Sequence, residues 1–421
     1  MHYFKRIYDS VHGFIYFSSL ERDLIDSYVL QRLHYLHQVG VAYLVYPGAT
    51  HTRFEHSLGV MHVATQIFDQ IMRNYDKPLE PSFLSYWRQV VRFAALCHDL
   101  GHLPFSHTAE KFLLEDGGHE RWTLSLIDSS FLHPIWERFQ LEFPDANVIE
   151  DIQKISLGKK KLSEVKKEEV SFSSWENVLS QVITGDFFGA DRIDYLLRDA
   201  RSTGVSYGLF DYHQLIETLR ILPFEGDSLT LGIEENGIQS CEALLLARHF
   251  MHKRVYQYPS VRAYSLHMAR FIQKMYREKK VLSSLENYLA YTDNEVLAEV
   301  RAAFLNQSHE GHEDATALLA KGNRYQVLEL SSQIEPKDIL NWKIEFQIKD
   351  EELVLMEQKK EPSVFSFPVL SSHDKIIDAK SCFSISIPSN SSAWVFVAPH
   401  HKKLIQMLLE TYPLEKSYAK N

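Results

Sequence analysis

The sequence predicts a mostly α-helical core, with a short N-terminal β-hairpin and a small α+β region at the C-terminal end. Apolar residues recur at close to a 3.6-residue period through most of the first three quarters, which indicates amphipathic helices. From about residue 320 the pattern changes to short β-like runs. Because 421 residues exceed what one hydrophobic core usually supports, we expect a helical domain over residues 1–320 and an α+β appendage over residues 321–421.

The helical elements follow from local patterns along the chain. Residues 5–18 alternate around His12 and Gly13, which predicts a hairpin. Residues 20–38 have helical spacing and are followed by Gly40, so we expect one helix that ends there. Further helices are predicted over residues 57–75, 82–100, 109–114, 175–182, 191–198, 239–256, 260–277 and 293–306. Thr292 and Glu295 form a capping-box pattern at the start of the last one.

The C-terminal quarter is predicted to contain short strands and one amphipathic helix over residues 402–411. The strand candidates are residues 325–330, 344–348, 353–356, 383–387 and 394–398. Further upstream, the lysine- and glutamate-rich residues 159–169 show no hydrophobic face. We interpret that segment as a solvated loop or an exposed helix and assign it no function.

Composition excludes several classes of protein. Hydrophobic residues make up 45% of the chain, which excludes global disorder. A net charge of −10 argues against a protein that coats nucleic acid, and an anionic substrate would need a local cluster of arginine and lysine. Three widely separated cysteines fit a reducing compartment. With neither a signal-peptide pattern nor a membrane-spanning apolar run, we expect a cytoplasmic protein without membrane contact.

A metal site is predicted by histidine and aspartate residues in three separate segments. An apolar helix runs into His98 and Asp99, and adjacent imidazole and carboxylate groups suit a catalytic divalent ion better than a structural thiolate site. His56 and Asp191 lie in two further motif-rich blocks. Any one of these residues alone would more often make a structural hydrogen bond. Together they could fix one ion while leaving positions for water and substrate.

These residues carry a resemblance to a known family. The order His56, then His98-Asp99, then Asp191 resembles the signature of the HD-domain metal-dependent phosphohydrolases. Residues 46–60 and 97–107 resemble the branch that contains bacterial dGTPases and the vertebrate SAM-and-HD-domain dNTPase, and the similarity runs from about residue 9 to residue 330. The resemblance implies an HD-domain helical core with one divalent ion per subunit, of Mn, Fe, Mg, Ni, Co or Zn.

The same resemblance implies an activity, namely cleavage of a deoxynucleoside triphosphate at the α-phosphate into a deoxynucleoside and inorganic triphosphate. It places His102 and His119 in the catalytic pocket, makes His107 a proton donor to the leaving oxygen, and makes Glu110 the residue that orients a histidine. Some relatives have aspartate at the position of Glu110. Either carboxylate can hold an imidazole in one tautomer.

Substrate contacts are also implied by the resemblance. Phosphate-binding basic residues are expected at Arg53, Arg192 and Arg254. Gln38 and Asp199 match residues that hydrogen-bond the sugar 3′ hydroxyl, while Val39 and Tyr195 match residues that crowd the 2′ position. Asp191, Tyr195 and Asp199 have the i, i+4, i+8 spacing of one helical stripe, which without the resemblance would fit an ordinary hydrogen bond at the core edge equally well.

Relatives in this branch are often homo-oligomers, dimers or tetramers, with an activator nucleotide at a subunit interface. The segment 26–34 matches that contact region, where Asp26 and Gln31 fit the pattern. His34 replaces an arginine, and an imidazole cannot form the bidentate contacts of a guanidinium.

Two other functions remain open. One is an HD phosphodiesterase or nucleotide monophosphate phosphohydrolase. The other is a nucleotide-binding regulatory HD module without turnover, whose sequence would be expected to lack a ligand or a catalytic histidine; none is missing here.

Overall fold

We analysed a computed structural model of the chain. It describes residues 5–106, 110, 114, 118–224, 226, 228–276, 282–322, 324–330, 334–357, 366–385, 393–412 and 414–417. Helices dominate up to residue 319, as the sequence predicts. Most of the predicted helix 109–114 lies outside the described residues, as does His107.

The chain begins with the predicted hairpin. Strands β1 (Lys5–Asp9) and β2 (Gly13–Phe17) pair antiparallel, and Gly13 takes a positive φ of 71° at the turn. The expected single helix over residues 20–38 is wrong, because the chain forms short helices at Ser19–Ile25 and Tyr28–Gln31 and then a 3₁₀ turn at Arg32–Tyr35. Ser27 causes the break, since its hydroxyl accepts a hydrogen bond from the Leu30 amide as a helix N-cap.

The core is a helical bundle built around Arg53–Arg73 and Pro81–Cys97, which pack against each other. Around this pair lie the helices Gly118–Ile127, His133–Glu142, Val148–Lys166, Ser174–Thr184 and Ala190–Thr203. The first two of these were not predicted. The third, Val148–Lys166, contains most of the lysine-rich segment, so of the two alternatives for that segment the exposed helix is confirmed, while the part of the helix before residue 159 was not predicted. The apolar faces of these helices join one continuous hydrophobic cluster with the hairpin.

Further helices complete this part of the chain. They are Tyr212–Glu217, Ile238–Met251, Pro259–Met275, Leu285–Leu289, Asp293–Leu305 and His312–Leu319, with a π-helical turn at His252–Tyr256 and a 3₁₀ turn at Gly40–Leu44. The predicted capping box at Thr292 is confirmed, since the Glu295 carboxylate accepts from the Thr292 amide at 2.8 Å.

Two four-stranded sheets accompany the helices. One has the strand order β3 (Leu219–Phe224), β4 (Ser228–Glu234), β7 (Pro368–Leu370) and β8 (Ile376–Asp378), and β4 pairs parallel with β7. The hairpin β3–β4 was not predicted. The other sheet has the order β10 (Leu414–Ser417), β5 (Gln326–Leu330), β9 (Ala393–Val397) and β6 (Leu353–Glu357). Helices Pro336–Glu345 and Lys402–Thr411 pack on this second sheet.

The C-terminal predictions are confirmed in part. Strands β5, β6 and β9 and helix Lys402–Thr411 were expected. The strand expected at residues 344–348 is wrong, because Ile344 belongs to helix Pro336–Glu345 and is exposed there. Residues 383–385 form no strand, and residues 386 and 387 lie outside the described part. The domain division at residue 320 stays a prediction, although β7 and β8 return to the first sheet and its core.

None of the described helices is both long enough and apolar enough to cross a lipid bilayer.

Candidate metal centre

Three segments far apart in sequence bring four predicted ligands together. Helix Arg53–Arg73 carries the first in its first turn, helix Pro81–Cys97 ends directly before the next two, and helix Ala190–Thr203 carries the fourth in its first turn. Helix Arg53–Arg73 packs against both of the others, so it sets their relative positions. The four residues are His56, His98, Asp99 and Asp191.

The donor atoms of these four side chains face one another. His56 Nε2 lies 3.0 Å from Asp191 Oδ1 and 3.8 Å from Asp99 Oδ2. His98 Nε2 lies 3.4 Å from Asp99 Oδ1 and 3.7 Å from Asp191 Oδ1. One donor atom from each of His56, His98 and Asp99 falls within 4.8 Å of the others. These separations are compatible with a shared ion at about 2 Å from each donor.

Hydrogen bonds on the far side of each imidazole support this interpretation. His98 Nδ1 lies 2.8 Å from the Ala95 carbonyl oxygen, and His56 Nδ1 lies 2.8 Å from Asp194 Oδ2. An acceptor at Nδ1 fixes a proton there, so a bound ion would take the Nε2 lone pair of each ring. Without an ion, and despite burial, hydrogen bonds to Asp191 and Asp194 raise the pKa of His56 to about 10, so the ion would replace the Nε2 proton of this ring. His98 Nε2 is buried and has no hydrogen-bond partner among the described residues. A buried acceptor of this kind next to two carboxylates fits a divalent cation.

Asp194 supports the ligand His56 from behind. Besides His56, its carboxylate contacts His12 Nε2 at 2.7 Å and the Arg198 guanidinium at 2.9 and 3.0 Å. The helices can approach so closely because residue 59 is glycine: a Cβ there would lie 1.9 Å from Asp194 Oδ1. This fully buried network fixes the His56 ring, and sequence reasoning did not include Asp194.

The charges in the centre set its protonation. Burial alone would raise the pKa of Asp99, but the charges of His98, Arg53 and His102 hold it well below its usual range. The pKa of Asp191 is also far below its usual range, despite burial, because His56 and His98 contact it. Both carboxylates are therefore ionised at neutral pH and available as ligands.

Arg53 lies beside the ligands and is buried. Its guanidinium donates to Asp99 Oδ2 and, at 2.7 and 3.0 Å, to Ser106 Oγ. Phe105 and Ser106 both take positive φ angles, near 55° and 52°, in the loop after the His-Asp pair. The Phe105 amide donates to Asp293 Oδ1 at 2.9 Å, which ties this loop to helix Asp293–Leu305.

The predicted catalytic histidines form a stack next to the centre. The rings of His102 and His119 lie 3.7 Å apart and nearly parallel, and Glu110 Oε1 is 3.1 Å from His102 Nδ1 and 2.9 Å from His119 Nδ1. His102 Nε2 is 3.3 Å from Asp99 Oδ1. Burial and the charges of Arg53 and His119 lower the pKa of His102 to about 4, so this imidazole is neutral at physiological pH.

A cavity of about 390 Å³ opens over the centre. Asp99, Asp191, His102 and His119 line it, and so do the predicted substrate residues Gln38, Val39, Arg53, Tyr195 and Asp199. Gln38 Oε1 is buried without a hydrogen-bond partner in the described part of the chain. Asp199 is held by His51 at 2.7 Å and by the Tyr256 hydroxyl at 2.6 Å.

The other two predicted cations differ in position. Arg192 is largely buried near Tyr195, and its Nε and Nη1 atoms have no hydrogen-bond partner among the described residues. Arg254 is exposed on the π-helical turn and does not line the cavity. Its role in phosphate binding stays a prediction.

Comparisons with known proteins agree with this geometry. Residues 53–176 match the family model of the HD domain, and residues 210–318 match that of the HD associated region. The crystal structure of a hypothetical protein from Aquifex aeolicus is 31% identical, with a TM-score of 0.74 over 97% of this chain and 98% of that one. The chain belongs to the HD-domain phosphohydrolase superfamily.

Within the superfamily, this HD-domain protein lies in the dNTPase-like branch. It is 29% identical to the Homo sapiens deoxynucleoside triphosphate triphosphohydrolase over 325 residues, which cover 69% of this chain and 50% of the human protein. An uncharacterised protein of Methanocaldococcus jannaschii is 35% identical over 66% of this chain and 51% of its own length. The chain thus spans about half the length of these curated relatives.

Several residues around the HD-domain cavity were missed by sequence reasoning. Lys161, His252, Tyr256, Arg262 and Ser265 all line it. The spacing of His252 and Tyr256 on one helical side, next to the basic pair at 253–254, was a usable signal for two of them. No sequence signal identified Lys161. Its segment shows no hydrophobic face, so the side of the helix on which this side chain lies could not be predicted.

Proposed function

We propose that this chain is a metal-dependent deoxynucleoside triphosphate triphosphohydrolase that releases a deoxynucleoside and inorganic triphosphate. The observation that carries the proposal is the convergence of His56, His98, Asp99 and Asp191 below a cavity lined by candidate phosphate- and sugar-binding residues. The human relative named for this reaction supports the choice of substrate.

His56, His98, Asp99 and Asp191 would hold one divalent ion, of Mn, Fe, Mg, Ni, Co or Zn. Such an ion supplies Lewis-acid polarisation of a phosphoryl oxygen and lowers the pKa of water. The protein's part is to fix the ligands. Asp194 orients His56, and the Ala95 carbonyl orients His98.

Two arginines, Arg53 in the cavity wall and Arg192 next to the ligand Asp191, would stabilise the charge that grows on the α-phosphate during attack by water. Arg53 is already anchored by Asp99 and Ser106, so its guanidinium is pre-oriented and needs little reorganisation. The Nε and Nη1 groups of Arg192 have no hydrogen-bond partner in the described structure. An anionic ligand could accept hydrogen bonds from both of them.

Proton transfer to the leaving 5′ oxygen would fall to the histidine cluster. His107 is our candidate for the donor, from the family resemblance, although it lies outside the described residues. The Nδ1 atoms of His102 and His119 lie 3.1 and 2.9 Å from Glu110 Oε1, so this carboxylate would stabilise whichever ring carries a positive charge. His102 is neutral at physiological pH, so it does not repel the guanidinium of Arg53.

Preference for a deoxy sugar would depend on four residues of the cavity wall. The unpaired Gln38 carbonyl oxygen can accept from a 3′ hydroxyl, and each oxygen of Asp199 keeps a second lone pair for the same role. Val39 and Tyr195 would leave no room for a 2′ hydroxyl. Val39 is shorter than the leucine expected from the resemblance, so we expect discrimination against ribonucleotides to be moderate.

A nucleotide panel with product identification tests the function. Purified protein is incubated with each dNTP and NTP and with each candidate divalent metal, and products are separated by anion-exchange chromatography. We expect deoxynucleoside and intact triphosphate in equal amounts. Pyrophosphate, or stepwise release of orthophosphate, would instead identify a different phosphohydrolase, such as a phosphodiesterase or a monophosphate phosphohydrolase. Binding without any product would identify a regulatory HD module.

Assembly and regulation are part of the proposal. We infer a cytoplasmic homo-oligomer, a dimer or tetramer, on which an activator nucleotide can act at a subunit interface. The side chain of Arg32, in the matching segment, donates to the carbonyl oxygens of His102 at 2.9 Å and Tyr291 at 2.9 Å. A nucleotide bound beside it would therefore act directly on the loop of the catalytic histidines. Repeating the panel with and without added guanine nucleotide tests this, and His34 predicts weak guanine dependence.

A further inference from the structure

Lys161 lies just after a kink in helix Val148–Lys166 and lines the catalytic cavity. Gly158 inside this helix takes φ 74° and ψ 163°, a conformation that L side chains rarely adopt. A Cβ at this position would also lie 2.8 Å from Thr184 Oγ1. Lys161 follows this kink and lines the cavity together with Asp99, His119 and Asp191.

The amine of Lys161 has a partner that a ligand could replace. Lys161 Nζ lies 2.8 Å from Glu120 Oε1, and half of the Lys161 side chain is exposed to solvent. Glu120 also lies 3.4 Å from His119 Nδ1. Burial alone would lower the pKa of Lys161, but the nearby carboxylates Glu120, Asp191 and Asp99 raise it above its usual value, so the amine is positively charged at neutral pH. Glu120 is not among the four candidate ligands, so its release would leave them intact.

The cavity needs further positive charge if it binds a triphosphate. Three of the residues that line it are aspartates, and its three basic residues are Arg53, Lys161 and Arg262, of which Arg53 is already paired with Asp99. Lys161 also lines a second cleft of about 540 Å³, next to Lys159 and Lys160. It thus lies where the metal cavity meets a lysine-lined surface, a position suited to an extended polyanion.

We propose that Lys161 is a substrate-binding residue that contacts the phosphate chain by exchanging Glu120 for phosphate oxygens. This inference rests on the proposed triphosphohydrolase function. It assigns a role to the lysine-rich segment, and it makes Glu120 the counter-ion that holds the lysine in place before substrate binds.

The test compares Lys161→Ala, Lys161→Arg and the matched control Lys160→Ala in steady-state kinetics. Loss of one charge-assisted phosphate contact predicts a KM for dNTP about 10- to 100-fold higher in Lys161→Ala, with kcat within about threefold of wild type. Lys161→Arg should recover most of the affinity. Lys160→Ala should change KM less than about twofold, because this side chain lines the second cleft and is not among the residues that line the metal cavity.

Binding of inorganic tripolyphosphate gives a readout that does not need turnover. By calorimetry, we expect wild type to bind it about tenfold or more tightly than Lys161→Ala. If wild type hydrolyses dNTPs but Lys161→Ala keeps the wild-type KM, the inference is wrong and the function stands. If wild type hydrolyses no dNTP, the proposed function is wrong. The role of Lys161 in phosphate binding is then tested by whether wild type binds tripolyphosphate more tightly than Lys161→Ala does. A fall in kcat at unchanged KM would also overturn the inference, since it would place Lys161 in proton transfer.

Discussion

At the residue scale, the two ligand imidazoles differ in what supports them. His98 rests on a backbone carbonyl, while His56 rests on the buried Asp194 carboxylate. A carboxylate makes the ring a stronger electron donor than a carbonyl does, so His56 should bind the ion more tightly. The cost is a buried charge, which Arg198 and His12 compensate.

Removing a ligand should remove the metal. We expect His98→Ala and Asp191→Ala to retain about tenfold less divalent metal than wild type after dialysis, as measured by elemental mass spectrometry, and to lose activity. His133→Ala is the matched control, because this histidine is half-exposed and its side chain pairs only with Asp128 in the described structure. Equal metal contents in all four proteins would refute the ligand assignment.

Some residues of the candidate site could be predicted from the sequence, and others could not. His56, His98, Asp99 and Asp191 could be found because each falls in a block of distinctive sequence, and the structure brings all four together. The supporting role of Asp194 could not be predicted. Its contacts with His12 and Arg198 depend on how the hairpin and the helices pack in three dimensions. The position of Lys161 in the cavity could not be predicted either. This residue follows a helix kink, and the kink is a property of packing rather than of the local apolar pattern.

At the element scale, the periodic helices were predictable and their interruptions were not. Helices Arg53–Arg73 and Pro81–Cys97 begin within four residues of the expected positions. The break at Ser27 was missed because a single side-chain cap outweighs an apolar period that continues through it. The hairpin β3–β4 was missed although Gly226, at φ 80°, provides the turn signal between two alternating runs.

The contact between helices Pro81–Cys97 and Val148–Lys166 includes a buried carboxyl group. Tyr86 donates its hydroxyl hydrogen bond to Asp151 Oδ2, and burial together with the charge of Glu176 raises the pKa of Asp151 to about 6. An aspartate in an unfolded chain titrates near pH 4. Between pH 4 and pH 6 the folded chain therefore binds more protons, and the contribution of Asp151 to stability falls as pH rises.

Asp151→Asn should remove this pH dependence. Relative to wild type, we expect the variant's free energy of unfolding to improve by roughly 2 kcal/mol between pH 4 and pH 7. Chemical denaturation at both pH values measures the difference. Asp145→Asn, at an exposed position of the preceding loop, should track wild type throughout. If the free energies of unfolding of wild type and Asp151→Asn changed equally between pH 4 and pH 7, the raised pKa of Asp151 would be contradicted.

At the scale of the whole molecule, the C-terminal part supports the metal centre. Strand β7 pairs parallel with β4, and Phe367 just before it packs against Phe187 and Phe188 at ring distances of 4.9 and 4.8 Å. These two phenylalanines directly precede the helix that begins at Ala190 and carries Asp191. A segment more than 170 residues away in sequence thus helps to position a metal ligand, which a predicted boundary at residue 320 does not anticipate.

Shortening the chain should therefore damage the catalytic part. We expect residues 1–320 alone to have a lower melting temperature and less bound metal than the full chain, because the apolar partners of Phe187 and Phe188 are lost. Phe367→Ala isolates this contact and should cost about 3 kcal/mol of stability. Leu340→Ala, on an exposed face of helix Pro336–Glu345, is the control. If the shortened chain melted and bound metal as the full chain does, residues 321–421 would be a separate appendage after all.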